Sequence, residues 1–251
     1  MSFCDDCFKG VTHEGTPKGK WEKIGGIDCY VGIPSGIEYP KDKVLLFLSD
    51  VFGMQLINNQ LLVDDFADNG ILTYGIDYFF GEPIPADAMQ PGNTFDRDAW
   101  REKHGYEITR PAVDAVVAAL KEKGVVVFGT TGYCFGAAYA VPLAIENVTQ
   151  VTAVSHPSRL KVPEDLEKYC SVSKAPFLIN SCEEDAMFPA EAQAKADVIF
   201  GDGKFAPGYK REYFPGCKHG FAVRGDMSDP MVKAGKEGAF KSTVEWMQKY
   251  L

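Results

Sequence analysis

Short runs rich in Val, Ile, Leu and Phe recur along the chain, separated for the most part by longer stretches of helical character. They read IDCYVGIP (27–34), KVLLFLS (43–49), ILTYGID (71–77), VVVFG (125–129), VTAVS (151–155), APFLINS (175–181) and KREYF (210–214). Near-continuous apolar runs of this length are what strands covered on both faces require, and helices over 57–69, 97–123, 135–147, 190–200 and 230–250 supply the cover. The alternation confines the chain to the α/β class, with a mostly parallel central sheet and helices on both faces. At 251 residues and 45% hydrophobic content, one large domain over 1–251 holds all of these elements, with residues 1–25 as an N-terminal extension packed on it. Segment 81–96, GEPIPADAMQPGNTFD, is rich in Pro, Gly and Asp and reads as an excursion over the sheet's carboxyl edge.

Charge and cysteine usage exclude several functions. A net charge of -9 leaves no basic stripe to neutralise phosphates, which argues against nucleic acid and against anionic membrane surfaces. No stretch approaches the ~18 apolar residues of a membrane span, and MSFCDDCFKG lacks the features of a secretory leader, so a cytoplasmic location is expected. The 7 cysteines are scattered and odd in number, unlike a disulfide framework. Monomer and homodimer are equally compatible with the chain.

The most chemical motif follows the run VVVFG. Residues 132–137 read GYCFGA, which puts Cys134 on a sharp turn between a strand and a helix. Flanking glycines at 132 and 136 permit the strained backbone and close helix-on-strand packing of a nucleophile elbow. There the sulfur meets the N-terminus of the following helix, whose dipole and N–H groups favour a thiolate. A buried cysteine beside a helix start is as often a small apolar filler, so the motif needs partners. A hydrolase triad requires an acid and then a histidine downstream of the nucleophile, each on a loop after a later strand. His219, in GCKHGF after KREYF, has the right place for the base. His156, in SHPSR, comes too early and reads as a substrate contact and pocket wall or as a structural loop residue. After APFLINS the chain reads CEEDAMFP, where Glu183, Glu184 and Asp185 all qualify by position. Asp185 is preferred, because a short carboxylate fixed by a turn can hold the imidazole tautomer.

Together, DVFG (50–53), GYCFGA (132–137), DAMFP (185–189) and HGFAVRG (219–225) resemble the dienelactone hydrolase family of the α/β-hydrolase superfamily, and HEGTPKG (13–19) resembles its fungal branch. The resemblance implies an α/β-hydrolase fold, a Cys134, Asp185, His219 triad and no cofactor. It implies a thiol-activating acid at Asp50 and an oxyanion hole from the backbone N–H groups of Val51 and Phe135. It also implies that Arg224 binds a substrate carboxylate, with Arg97 or Arg101 as candidates for a second such arginine. The expected reaction is hydrolysis of a small-molecule lactone or ester through a thioester acyl-enzyme. A free cysteine of pKa ~8.5 is only a few per cent thiolate at neutral pH, so the sulfur needs activation.

Other features carry weaker signals. Phe79, Phe80, Met89, Trp100, Phe188 and Phe221 lie near loops at the carboxyl edge and are read as walls of an apolar substrate pocket or as plain packing; Phe79, Trp100 and Phe221 are the preferred contacts. Cys4 and Cys7 form a CxxC near His13, but no second pair follows, so no metal is expected. Cys29, Cys170, Cys182 and Cys217 read as core or loop residues. Two rivals to the dienelactone reading stand: a broad esterase or thioesterase on the same fold, and a non-catalytic protein that binds small carboxylates or is regulated by oxidation of Cys134.

Overall fold

The apolar runs assemble into one eight-stranded sheet in a computed structural model that describes residues 11–88 and 92–251. Its strands are β1 (Lys20–Ile24), β2 (Ile27–Gly32), β3 (Lys43–Leu48), β4 (Thr73–Ile76), β5 (Val127–Tyr133), β6 (Val151–Ser155), β7 (Phe177–Glu184) and β8 (Tyr209–Lys218), lying in the order β1-β2-β4-β3-β5-β6-β7-β8. The pairs β1/β2 and β2/β4 are antiparallel; every other neighbouring pair is parallel. The helices are α1 (Ile57–Asp68), α2 (Arg97–Lys103), α3 (Tyr106–Glu122), α4 (Ala137–Ile145), α5 (Glu164–Val172), α6 (Ala190–Phe200), α7 (Phe221–Arg224) and α8 (Pro230–Tyr250). This is the α/β-hydrolase fold.

Two apolar clusters sandwich the sheet. One gathers Val113 and Val117 of α3, Leu143 of α4, Leu166 of α5 and Ala196 of α6. The other gathers Leu62 and Phe66 of α1 with Phe240, Val244 and Met247 of α8. Central strands β3 and β6 are therefore buried almost throughout, whereas the outer strands β1 and β8 mix buried and exposed positions.

Residues 20–24, read from the sequence as part of an extension, belong to the sheet itself as β1. The segment before them is tied to α1 through buried carboxylates. Asp65 accepts from the N–H and hydroxyl of Thr12, and Asp64 accepts from the N–H groups of Lys18 and Gly19 and from the Tyr30 hydroxyl. The single helix expected over 97–123 is broken at His104 and Gly105 into α2 and α3. Strand β5 runs four residues beyond the apolar run, because Gly129–Tyr133 pair in register with Val151–Ser155. That extension brings the strand end directly to Cys134.

The excursion after β4 is fastened beside the end of β3. The Ile84 N–H donates to the Val51 carbonyl at 2.9 Å, and Trp100 Nε1 donates to the Glu82 carbonyl at 2.7 Å. Both bonds hold it against the carboxyl edge. Met89 lies outside the described residues, as do Cys4 and Cys7.

Close backbone approach sets the position of α4. A Cβ placed on Gly136 would sit 2.0 Å from the Leu48 carbonyl oxygen, and one on Gly132 would sit 2.8 Å from the Gly136 oxygen. A side chain yields to crowding, but a carbonyl inside the sheet does not. Gly136→Ala is accordingly expected to lower stability by at least about 3 kcal/mol, the upper end of ordinary overpacking costs. Urea unfolding checks this; a midpoint within error of the parent would contradict it.

Candidate active site

Cys134 ends β5 as the first residue of a single 3-10 turn, Cys134–Gly136, that leads into α4. Its backbone is left-handed, with φ of 49°, although it is not a glycine. Such a conformation costs about 1–3 kcal/mol and persists only where its surroundings impose it. Here the glycine contacts on either side impose it, and the sulfur is held at the carboxyl edge of the sheet, largely buried at 8% exposure.

Asp185 follows β7 directly and His219 follows β8, so neighbouring parallel strands deliver the two side chains to the same edge. Asp185 Oδ1 lies 2.8 Å from His219 Nδ1. The same carboxylate oxygen accepts the N–H groups of Met187 (2.8 Å) and Phe188 (3.1 Å), which fix the acid by a turn. Of the three carboxylates considered, Asp185 is the one that meets the imidazole. Glu183 accepts the Gly216 N–H, Glu184 pairs with Lys218, and both are exposed, whereas the Asp185 side chain is buried against the imidazole.

Burial opposes a charge on His219, but the hydrogen bond it donates to Asp185 and the adjacent Cys134 sulfur outweigh it and push the imidazole up to about 10. The ring thus interacts with both Asp185 and Cys134. Next to it lies His156, completely buried, with ring centroids 5.1 Å apart and inclined at 67°. Burial, and then the proximity of His219 and Arg224, hold His156 well below the usual imidazole range, so it stays neutral. Neither of its ring nitrogens has a hydrogen-bond partner among the described residues.

Asp50, the expected thiol-activating acid, is bonded to Phe52, Asn59 and Arg224. Its Oδ1 accepts the Phe52 N–H and the Asn59 amide, each at 3.1 Å, and its Oδ2 pairs with Arg224 Nε at 2.9 Å. The carboxylate is fully buried and paired with the arginine. Arg224 also lies over the Phe52 ring at 4.3 Å and folds back beside Gly220, so it flanks the histidine loop with part of its charge already balanced. Arg101, one of the two candidates for a second such arginine, is paired with Asp98.

Val51 and Phe135 stand one residue beyond Asp50 and Cys134, on loops that leave the adjacent strands β3 and β5. The Leu48↔Gly132 pairing brings those loops side by side. The expected aromatic contacts lie deeper than a binding surface would. Phe79 is 0% exposed, Trp100 6% and Phe221 2%. Phe79 packs on Trp100 and Phe135 with centroids 5.0 and 5.3 Å away, and Phe221 packs on His156 at 5.6 Å. Their rings pack against the elbow residue Phe135 and against His156, the packing alternative of the sequence reading.

Sequence reasoning passed over Ser158. It is buried, its hydroxyl lies 3.6 Å from the Cys134 sulfur, and its N–H donates to the Cys134 carbonyl at 3.1 Å. The only signal was its place three residues beyond β6, the neighbour of β5. A cavity of about 910 Å³ elsewhere holds none of these groups; it opens at the amino ends of the strands, beside Lys43, Leu72, Met247 and Leu251.

Comparison with known proteins gives the family and the fold. The dienelactone hydrolase family matches residues 27–251. The chain belongs to that family. Among fungal members, it is 34% identical to Dienlactone hydrolase 1 of Gibberella moniliformis, over 98% of this chain and 93% of the relative. It is 33% identical to Hydrolase pyvD of Aspergillus violaceofuscus, over 98% of this chain and 96% of that protein. In fold it is similar to a putative dienelactone hydrolase from Klebsiella pneumoniae, with a TM-score of 0.68 and 16% identity over 89% of this chain and 93% of the other. No helix among the described residues is long and apolar enough to cross a membrane.

Asp185→Asn weakens the hydrogen bond that raises His219, so the imidazole pKa is expected to fall from about 10 toward its ordinary value. NMR titration of the ring reads this directly. In the parent, the folded value lies above the unfolded one, so the stabilisation is complete below about pH 6.5 and disappears as pH rises through the folded value. The stability gap between parent and variant should therefore narrow from pH ~6 to pH ~10.5, and a constant gap would contradict the assignment.

Proposed function

We propose that this member of the dienelactone hydrolase family hydrolyses lactones or small esters through a cysteine nucleophile. The observation that carries the reading is the elbow sulfur beside an imidazole that is itself bonded, at 2.8 Å, to a buried and doubly N–H-bonded Asp185. Nucleophile, orienting acid and base follow one another in the chain order of this fold.

The thiolate of Cys134 attacks the carbonyl carbon, and the N–H groups of Val51 and Phe135 hold the resulting oxyanion. As the C–O bond breaks, protonated His219 gives its proton to the departing oxygen, leaving a thioester. Acylation also removes the sulfur's charge, one of the influences that raise the His219 pKa. The neutral ring then takes a proton from water, and the hydroxide attacks the thioester. Cleavage of the C–S bond restores the thiolate beside a protonated imidazole, while Asp185 holds the ring's tautomer throughout. Asp50 acts through Arg224, fixing the guanidinium beside the histidine loop.

The Asp50–Arg224 pair favours a second, broader reading. An arginine already balanced by a buried carboxylate attracts a substrate anion less than a free one does, so a general esterase on the same triad fits this site too. Hydrolysis of a carboxylate-bearing dienelactone and of a neutral phenyl ester separates the two. A strong preference for the lactone, lost in Arg224→Ala, supports the first; equal rates support the second. In either case Cys134→Ala is expected to lose at least about 10³ in kcat, as removal of a nucleophile does. Full activity in that variant would overturn the mechanism.

A further inference from the structure

We propose that Ser158 is a further catalytic residue, whose hydroxyl is the hydrogen-bond donor that holds the Cys134 sulfur as a thiolate. The proposal rests on Cys134 being the nucleophile. It starts from an unfilled position: the acid expected to face the thiol, Asp50, gives its two oxygens to Phe52, Asn59 and Arg224. The hydroxyl of Ser158 lies at 3.6 Å from the sulfur instead.

The chain is shaped to put it there. Tyr133 pairs with Ser155 at the ends of β5 and β6, so the residues beyond each strand run on side by side. His156 and Arg159, with φ of 40° and 62°, bracket Pro157 and Ser158 with left-handed turns. The His156 N–H is anchored on the Asn180 carbonyl at 2.8 Å, and the Ser158 N–H on the Cys134 carbonyl at 3.1 Å. Ser158 therefore grips both the backbone and the sulfur of the nucleophile. With only 5% of its surface exposed, its bond competes little with water.

A hydroxyl donates more strongly to an anion than to a neutral acceptor. The bond consequently favours the charged sulfur of the resting enzyme over the uncharged sulfur of the thioester. It is given up on acylation and regained when the C–S bond breaks and the electron pair returns to sulfur. Ser158 transfers no proton; that remains with His219.

The test is the alkylation rate of Cys134 by iodoacetamide, read by mass spectrometry on the peptide that carries it. The probe needs no substrate, and label on the other cysteines is scored separately. In Ser158→Ala the rate near neutral pH should fall roughly ten- to hundredfold, the loss expected of one hydrogen bond to a charged group. The deficit should vanish at high pH, where sulfur ionises without help, and Ser158→Thr, which keeps the hydroxyl, should retain most of the parental rate. Equal rates for parent and alanine variant near neutrality would overturn the proposal, as would a deficit of the same size at every pH. Failure of the underlying reading looks different: Cys134→Ala would then hydrolyse ester at the parental rate.

Discussion

The contact on which the site depends is a backbone one, between the Cα of Gly136 and the carbonyl of Leu48. It joins the start of α4 to the end of β3 at a distance no side chain allows. From that approach follow the left-handed turn at Cys134, the place of the sulfur at the carboxyl edge, and the juxtaposition of the Val51 and Phe135 loops. The surrounding aromatics complete the support, with Phe135 packed among Phe79, Tyr78 and Tyr139 and the strained elbow resting on a close-packed base.

Charge is distributed as economically as the backbone. Asp185 and His219 form one pair and Asp50 and Arg224 another, each tying together strands or loops far apart in sequence. The neutral His156 lies between His219 and Phe221 without adding a charge. Its two unpartnered nitrogens carry a desolvation cost of about 1–3 kcal/mol each. That cost is tolerated where the ring's shape, packed edge to face on His219, keeps the imidazole in place.

Much of this was legible in the chain. Seven of the eight strands were marked by the runs along the chain and the elbow by its glycines, because both signals are local. Strand β1, KWEKI, escaped notice as a short edge strand with only Trp21 and Ile24 apolar and a neighbour on one side alone. Helix α5 was missed because only Leu166 and Tyr169 of its residues are buried, too few for an apolar stripe. In the site, the order of Cys134, Asp185 and His219 was readable from the positions of strands. The Asp50–Arg224 pair was not, since those residues are 174 apart and meet only once the sheet and α7 are formed. Ser158 belongs to no motif; its contact with the sulfur arises from two left-handed residues that composition does not announce.

The most direct test of the central claim is to trap the acyl-enzyme. Rapid acid quench during turnover of a slowly deacylating phenyl ester, followed by peptide mass spectrometry, should find the acyl group on Cys134, in a form that hydroxylamine releases as a thioester. An acyl group found on Ser158 or on any other side chain, or continued turnover with no covalent adduct at all, would contradict the cysteine mechanism.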